Sequence, residues 1–249
     1  MNLSKVFDRP SCRKPLATAW LKRSVISLAL ASATAVTYAD APGSGLTAAF
    51  EREYLTSIID HHFSALRMTE LAAGTDVMRD PQLSNPTEGT AGTPGTQPTP
   101  SKAQMIEIKS MARMENRAQR EEIESAQHFL KDWYGVNHEP ALTPQGRKQI
   151  RLLESTAPGA EFDHLWMETL SRHHYLAITM STECMVASDL KHTALQRYCG
   201  GIQHAQINAI NEMREMLCKT KNICDYQPLR GIKGRHSGSR AEGAMEDAD

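Results

Sequence analysis

Six residues of one helical stripe, Phe50, Tyr54, Ile58, His61, Ala65 and Met68, recur as Phe162, Trp166, Leu170, His173, Ala177 and Met180, each pair 112 positions apart. Steps of three and four residues return to the same side of an α-helix, so the chain writes one helix face twice. A partner stripe follows each copy. Ala112, Gln119, Ile123, Ala126 and Leu130 recur as Cys199, Gln206, Ile210, Met213 and Leu217, at an offset of 87. Each half therefore reads as a helical hairpin. Neither hairpin can bury its stripe alone, and packing the two together predicts an all-α four-helix bundle.

Local signals place the elements. Helical periodicity runs from about Leu46 to Ala73, where Gly74 supplies a stop. The stretch "PQLSNPTEGTAGTPGTQPTP", residues 81–100, offers neither helix former nor core and reads as a flexible, disordered linker. Ser101 with Gln104 spells a capping box for a second helix ending at Tyr134 before Gly135, completing a first hairpin over 46–134. A connector over 135–159 carries a short helix, with Thr143 as cap and Pro144 in its first turn. The second hairpin, 160–224, has helices from about Glu161 to Ser188 and Thr193 to Thr220, and a polar tail over 228–249 reads as disordered.

The first 39 residues have the composition of a secretory signal: a basic region, an apolar run over Val25–Val36, and the small-x-small pattern Thr37-Tyr38-Ala39. That run is too short to cross a membrane. Cleavage there would remove six of the 28 basic and one of the 29 acidic residues, leaving 22 and 28 and a net charge of −6. No basic patch remains for a nucleic-acid partner. The expected location is the periplasm or the exterior, with no membrane span in the mature chain, and nothing in the sequence indicates a protein partner.

Export bears on the cysteines. Cys12 leaves with the leader, and Cys184, Cys199, Cys218 and Cys224 remain in an oxidising compartment. In an antiparallel hairpin turning at Lys191 and His192, Cys184 and Cys199 stand at the same level on facing stripes and are expected to bond. Cys218 and Cys224 then pair by default. The competing reading makes Cys184 and Cys199 thiolate ligands near Met180.

Both copies of the first stripe contain the spelling HHxxAxxM: His61, His62, Ala65, Met68 and His173, His174, Ala177, Met180. Successive helical residues are 100° apart, so His61 and His173 are expected to face the bundle axis and His62 and His174 the edge of the interface. A buried imidazole needs partners for its nitrogens. Gln119 and Gln206, polar interruptions at equivalent places on the partner stripes, are expected to hydrogen-bond to these imidazoles and fix their tautomers. Imidazole with thioether, in the absence of a matching carboxylate set, suits Cu(I). His61, His62, Met68, His173, His174 and Met180 are therefore the candidate ligands of a metal ion, with copper as the expected cofactor. The alternative is a non-catalytic structural or interaction module whose histidines only satisfy the core. Most of the twelve methionines read as helix-favouring core filler. No catalytic set emerges: Glu161-Phe162-Asp163-His164 is a single unrepeated Glu-x-x-His, and His-Glu-x-x-His, phosphate loops and a nucleophile elbow are absent.

The doubled HHxxAxxM, each copy followed by a helix with Ala-Gln-x-x-x-Ile (Ala118, Gln119, Ile123; Ala205, Gln206, Ile210), resembles the ferritin-like domain-of-unknown-function family three-hundred-and-five. The resemblance spans Phe50 to Leu217 apart from the linker. It implies a ferritin-like helical bundle that is exported, and for some members an association with periplasmic copper binding and resistance. The acidic residue that the family places after the glutamine is Glu122 in the first half, where the second half has Ala209.

Overall fold

The computed structural model describes residues 45–76 and 89–228. The leader over 1–39, the first part of the linker and all but the first residue of the tail lie outside the described residues. Among the described residues five helices follow in order: α1 (Gly45–Ala73), α2 (Ile106–Tyr134), α3 (Pro144–Ser155), α4 (Ala160–Val186) and α5 (Thr193–Lys221). They make two hairpins, α1 with α2 and α4 with α5, and α1 packs on α4 to join them. No helix among the described residues is long and apolar enough to cross a membrane.

The repeated stripes are the core. Every member is buried except Phe50 and Met180, which are partly so. α1 and α4 run antiparallel, because Tyr54 meets Ser181 through their hydroxyls at 3.2 Å while Trp166 donates its indole N–H to the Met68 carbonyl at 3.0 Å. The two HHxxAxxM segments thus cross at their histidines. Apolar clusters fill the bundle on either side of that level, one containing Met68, Leu71, Met111, Trp166 and Met213, the other Leu55, Ile58, Leu130, Cys184 and Cys199.

The repeat extends to the helix starts. Asp163, in the first turn of α4, accepts from the backbone N–H groups of Gln104 and Met105 at 2.9 and 3.0 Å, just ahead of α2. Its equivalent in α1, Glu51, accepts from the N–H groups of Lys191 and His192 at 2.8 and 3.2 Å, just ahead of α5. Each hairpin's first helix caps the other hairpin's second helix, satisfying donors that a helix start leaves orphaned. This corrects the capping box. Met105 is the N-cap residue of α2 and contributes no side-chain bond, and the Ser101 hydroxyl turns instead to the Ala72 carbonyl at 2.7 Å. A carboxylate from another hairpin outcompetes the local serine, and α2 begins at Ile106 rather than at Ser101. The cap of α3 is the expected one: Thr143 accepts from Gly146 N–H at 2.9 Å, with Pro144 in the first turn.

Residues 89–100 differ from the flexible linker expected of their composition. Thr90 and Thr93 are buried, Thr90 pairs in a parallel bridge with Thr75, and Thr75 N–H donates to the Thr99 carbonyl at 2.8 Å. The organiser is Glu70, fully buried near the end of α1. It accepts from Thr93 N–H at 3.1 Å, Thr96 hydroxyl at 3.3 Å, Arg67 at 3.1 Å and the Thr75 hydroxyl. Burial pushes its carboxyl up, but the bonds from Thr75, Thr93 and Arg67 outweigh this and hold it below its ordinary value. Threonine, glycine and proline cannot build a helix here, yet they can wrap a buried carboxylate. Both cysteine pairs are bonded, Cys184 to Cys199 as the hairpin geometry led us to expect and Cys218 to Cys224 as the remaining pair, so none of the four offers a thiolate.

Candidate functional site

The two adjacent-histidine pairs meet at the crossing of α1 and α4, and all four side chains are buried. His61 and His173 stack face to face, ring centroids 3.7 Å apart and planes within 8°. His61 Nε2 donates to the His173 carbonyl at 3.1 Å, and His173 Nδ1 donates to Gln149 Oε1 at 3.1 Å. Burial first, then the neighbouring imidazoles, holds both rings well below the ordinary histidine value, so both are neutral at pH 7. This inner pair is a packed structural joint.

His62 and His174 are different. Both are fully buried rather than at an interface edge, because α2 lies across them. His62 Nε2 stands 3.1 Å from Glu122 Oε2 and His174 Nε2 stands 3.2 Å from Glu115 Oε2. Neither contact has the alignment of an N–H···O hydrogen bond, and all four ring nitrogens of the two residues are without such a partner. Glu115 and Glu122 are seven residues apart, two turns on one face of α2, with Gln119 between them. Their side chains keep 17% and 18% of their exposure, so each runs from the partly exposed edge of α2 to a buried ring, and Glu122 Oε2 is itself buried. For Glu115, burial pushes the carboxyl up, while the His174 ring and the Gln119 amide pull it down, to a value below the ordinary one.

Two expectations about this site need correction. Gln119 and Gln206 do not fix histidine tautomers. The Gln119 amide donates to Glu115, one turn back, at 3.3 Å, and the side-chain carbonyls of both glutamines lack partners. The glutamine that holds a histidine is Gln149, on a helix that no stripe argument linked to the site, and it does so because α3 packs against α1 and α4. Nor do the methionines join the histidines. Seven residues are two helical turns, about 10 Å of rise, and the antiparallel crossing sends the two sulfurs in opposite directions. Met68 lies in the cluster with Trp166 and Met180 beside the cluster with Cys184, so the spelling HHxxAxxM is one helix face and not one ligand set. Among the described residues no three His, Cys, Asp or Glu side chains stand ready around a single ion position.

Sequence reasoning missed Glu115, although Glu115, Gln119 and Glu122 form a polar line at helical spacing on α2, a signal available before the fold. It also missed a second buried pair. His192 Nδ1 lies 2.5 Å from Glu51 Oε2, both fully buried, with the imidazole stacked on Trp133 at 4.0 Å and the Tyr134 hydroxyl on the same carboxylate.

No curated protein and no solved structure matches the chain. The family model described as Domain of unknown function (DUF305) does match, over residues 96–217. That span takes in α2, α3, α4 and α5 as far as Leu217 and leaves α1, the first copy of the paired-histidine helix, outside it. Over residues 96–217, then, the chain matches the DUF305 family, the one that its paired histidines resemble.

Proposed function

We propose that this is an exported metal-binding protein that sequesters or hands on copper, with His62 and His174 as the anchoring ligands and Glu115 and Glu122 as the groups that admit the ion. One observation carries the reading: two fully buried imidazoles, His62 and His174, have Nδ1 atoms without a hydrogen-bond partner and Nε2 atoms that meet only the carboxylates of Glu122 and Glu115, whose side chains stay partly exposed. An unpaired buried polar atom costs about 1–3 kcal/mol, and a bound cation would meet that need. Imidazole suits copper in either oxidation state. Cu(I) is the ion that the methionine-rich sequence favours, but Met68 and Met180 stand too far along the helices to complete a set with these histidines. Nitrogen and carboxylate donors also suit Cu(II) and Zn(II), so the competition among these ions is part of the test. Because no three donors converge, binding requires side-chain rotation at this level of the bundle.

Equilibrium titration of the metal-free protein with Cu(I), Cu(II) and Zn(II) under competing chelators tests this. The expected result is copper binding lost in His62→Ala and His174→Ala but kept in Met68→Leu. Binding no tighter than free histidine, or binding that survives both histidine substitutions, refutes it. A purely structural role is favoured for the inner pair alone, since His61 and His173 are stacked and each donates one hydrogen bond within the bundle, leaving His173 Nε2 without a partner. Their replacement should lower stability equally with and without metal.

A further inference from the structure

A cleft of about 230 Å³ opens between α1, α3 and the segment around Pro94, away from the histidines. Its apolar surface comes from Phe63, Leu142 and Ile150, and its charged surface from Arg67, Arg147, Arg151 and Glu154. Three guanidinium groups thus face one carboxylate, in a chain whose overall charge is −1.

The three arginines are not equivalent. Arg67 is buried and committed: Nε and Nη2 donate to Glu154 at 3.2 and 3.1 Å, and Nη1 donates to Glu70 at 3.1 Å. It forms a neutralised wall. Arg147 and Arg151 are exposed, one turn apart on α3, and so on the same face. Arg147 spends one N–H on the Leu142 carbonyl, and Arg151 has no carboxylate partner among the described residues. A planar fork that is not already paired is the group best suited to hold a carboxylate through two parallel bonds. Beside it lie an aromatic ring and two aliphatic side chains, which would take an apolar body.

We infer that this cleft is a binding site for a small organic monoanion, an aromatic or short aliphatic carboxylate, with Arg151 and Arg147 on the carboxylate and Phe63, Leu142 and Ile150 on the apolar part. The inference is independent of metal binding. Both halves of the ligand are needed: charge alone would make the site a surface patch for any anion, and apolar contact alone would accept neutral molecules.

Calorimetric titration of the full, metal-free chain with benzoate, benzyl alcohol and inorganic phosphate separates these. Saturable binding of benzoate is expected, weaker by at least about tenfold for each of the other two. Arg151→Gln, which breaks no described hydrogen bond or ion pair, should weaken benzoate at least about tenfold on its own, and Arg147→Gln with Arg151→Gln should abolish it. An unchanged thermal midpoint of the variants shows that the fold is intact. Equal binding of benzyl alcohol or of phosphate, no saturable benzoate binding, or benzoate binding unaffected by Arg151→Gln overturns the assignment.

Discussion

Acidification should destabilise this protein through the histidine joint. His61 and His173 are held well below the ordinary value of 6.5 by burial and by neighbouring imidazoles. In the unfolded chain both return to about 6.5, so below that pH the unfolded state binds protons that the folded state refuses. The stability associated with these rings is fully present above pH 6.5 and is lost as pH falls below it, by about 1.4 kcal/mol per unit for each ring. For two rings that stay neutral throughout, a step from pH 7.0 to 5.5 removes at most about 2.5 kcal/mol, a large share of a typical total of about 5–15 kcal/mol. Glu115 and Glu70, held below their ordinary value of 4.5, add their own loss only as pH falls below that value, so the interval from 6.5 to 5 excludes these two, and comparison with a His61 variant isolates one ring from the other histidines. The assay is urea unfolding at half-unit pH steps in the presence of a chelator, for wild type and His61→Phe. Phenylalanine keeps a ring against His173 and removes one titrating group. Wild type should lose stability more steeply than the variant, by about 1.4 kcal/mol per pH unit. Identical slopes would refute the claim that the stacked pair is buried in its neutral form.

Three further outcomes follow from the geometry. Asp163→Ala removes the acceptor of two backbone N–H groups ahead of α2 and should cost about 1–3 kcal/mol, with faster hydrogen exchange at Gln104 and Met105 as the local readout. Gly146→Ala should destabilise by about 1–3 kcal/mol, since a Cβ there would lie 1.9 Å from the Ser64 hydroxyl and 2.5 Å from its Cβ; Ser64→Gly in the same chain should restore much of the loss in thermal midpoint. Replacing Cys184 and Cys199 together by alanine opens a loop of 15 residues and should lower stability by about 3 kcal/mol, measured by denaturant unfolding.

Periodicity is a local property, and what it could determine it determined. Steps of three and four at two constant offsets sufficed for four long helices, their pairing into hairpins and the burial of the stripes. Equal distance from one turn sufficed for the bond between Cys184 and Cys199. Tertiary structure decided which side chains meet across helices, because that depends on crossing, direction and rotation, none of which is written in a single helix. The same HHxxAxxM that looks like one ligand set along the chain becomes two rows running in opposite directions once α1 and α4 are antiparallel, so its histidines converge and its methionines separate. His173 finds Gln149 rather than Gln206 because α3, a helix outside the repeat, closes over the crossing. Glu115 and Glu122 meet the two outer histidines, one on each hairpin, from a single face of α2, whereas Ala209 at the equivalent of Glu122 on α5 leaves that side without an acid. α2 starts at Ile106 because Asp163 arrives from the other hairpin, and residues 89–100 are ordered because Glu70 is buried beneath them. At Asp163 and Glu70 a local preference worth about 1 kcal/mol yields to a buried charge that must be satisfied, and the partners of that charge are chosen by the packing of the whole bundle.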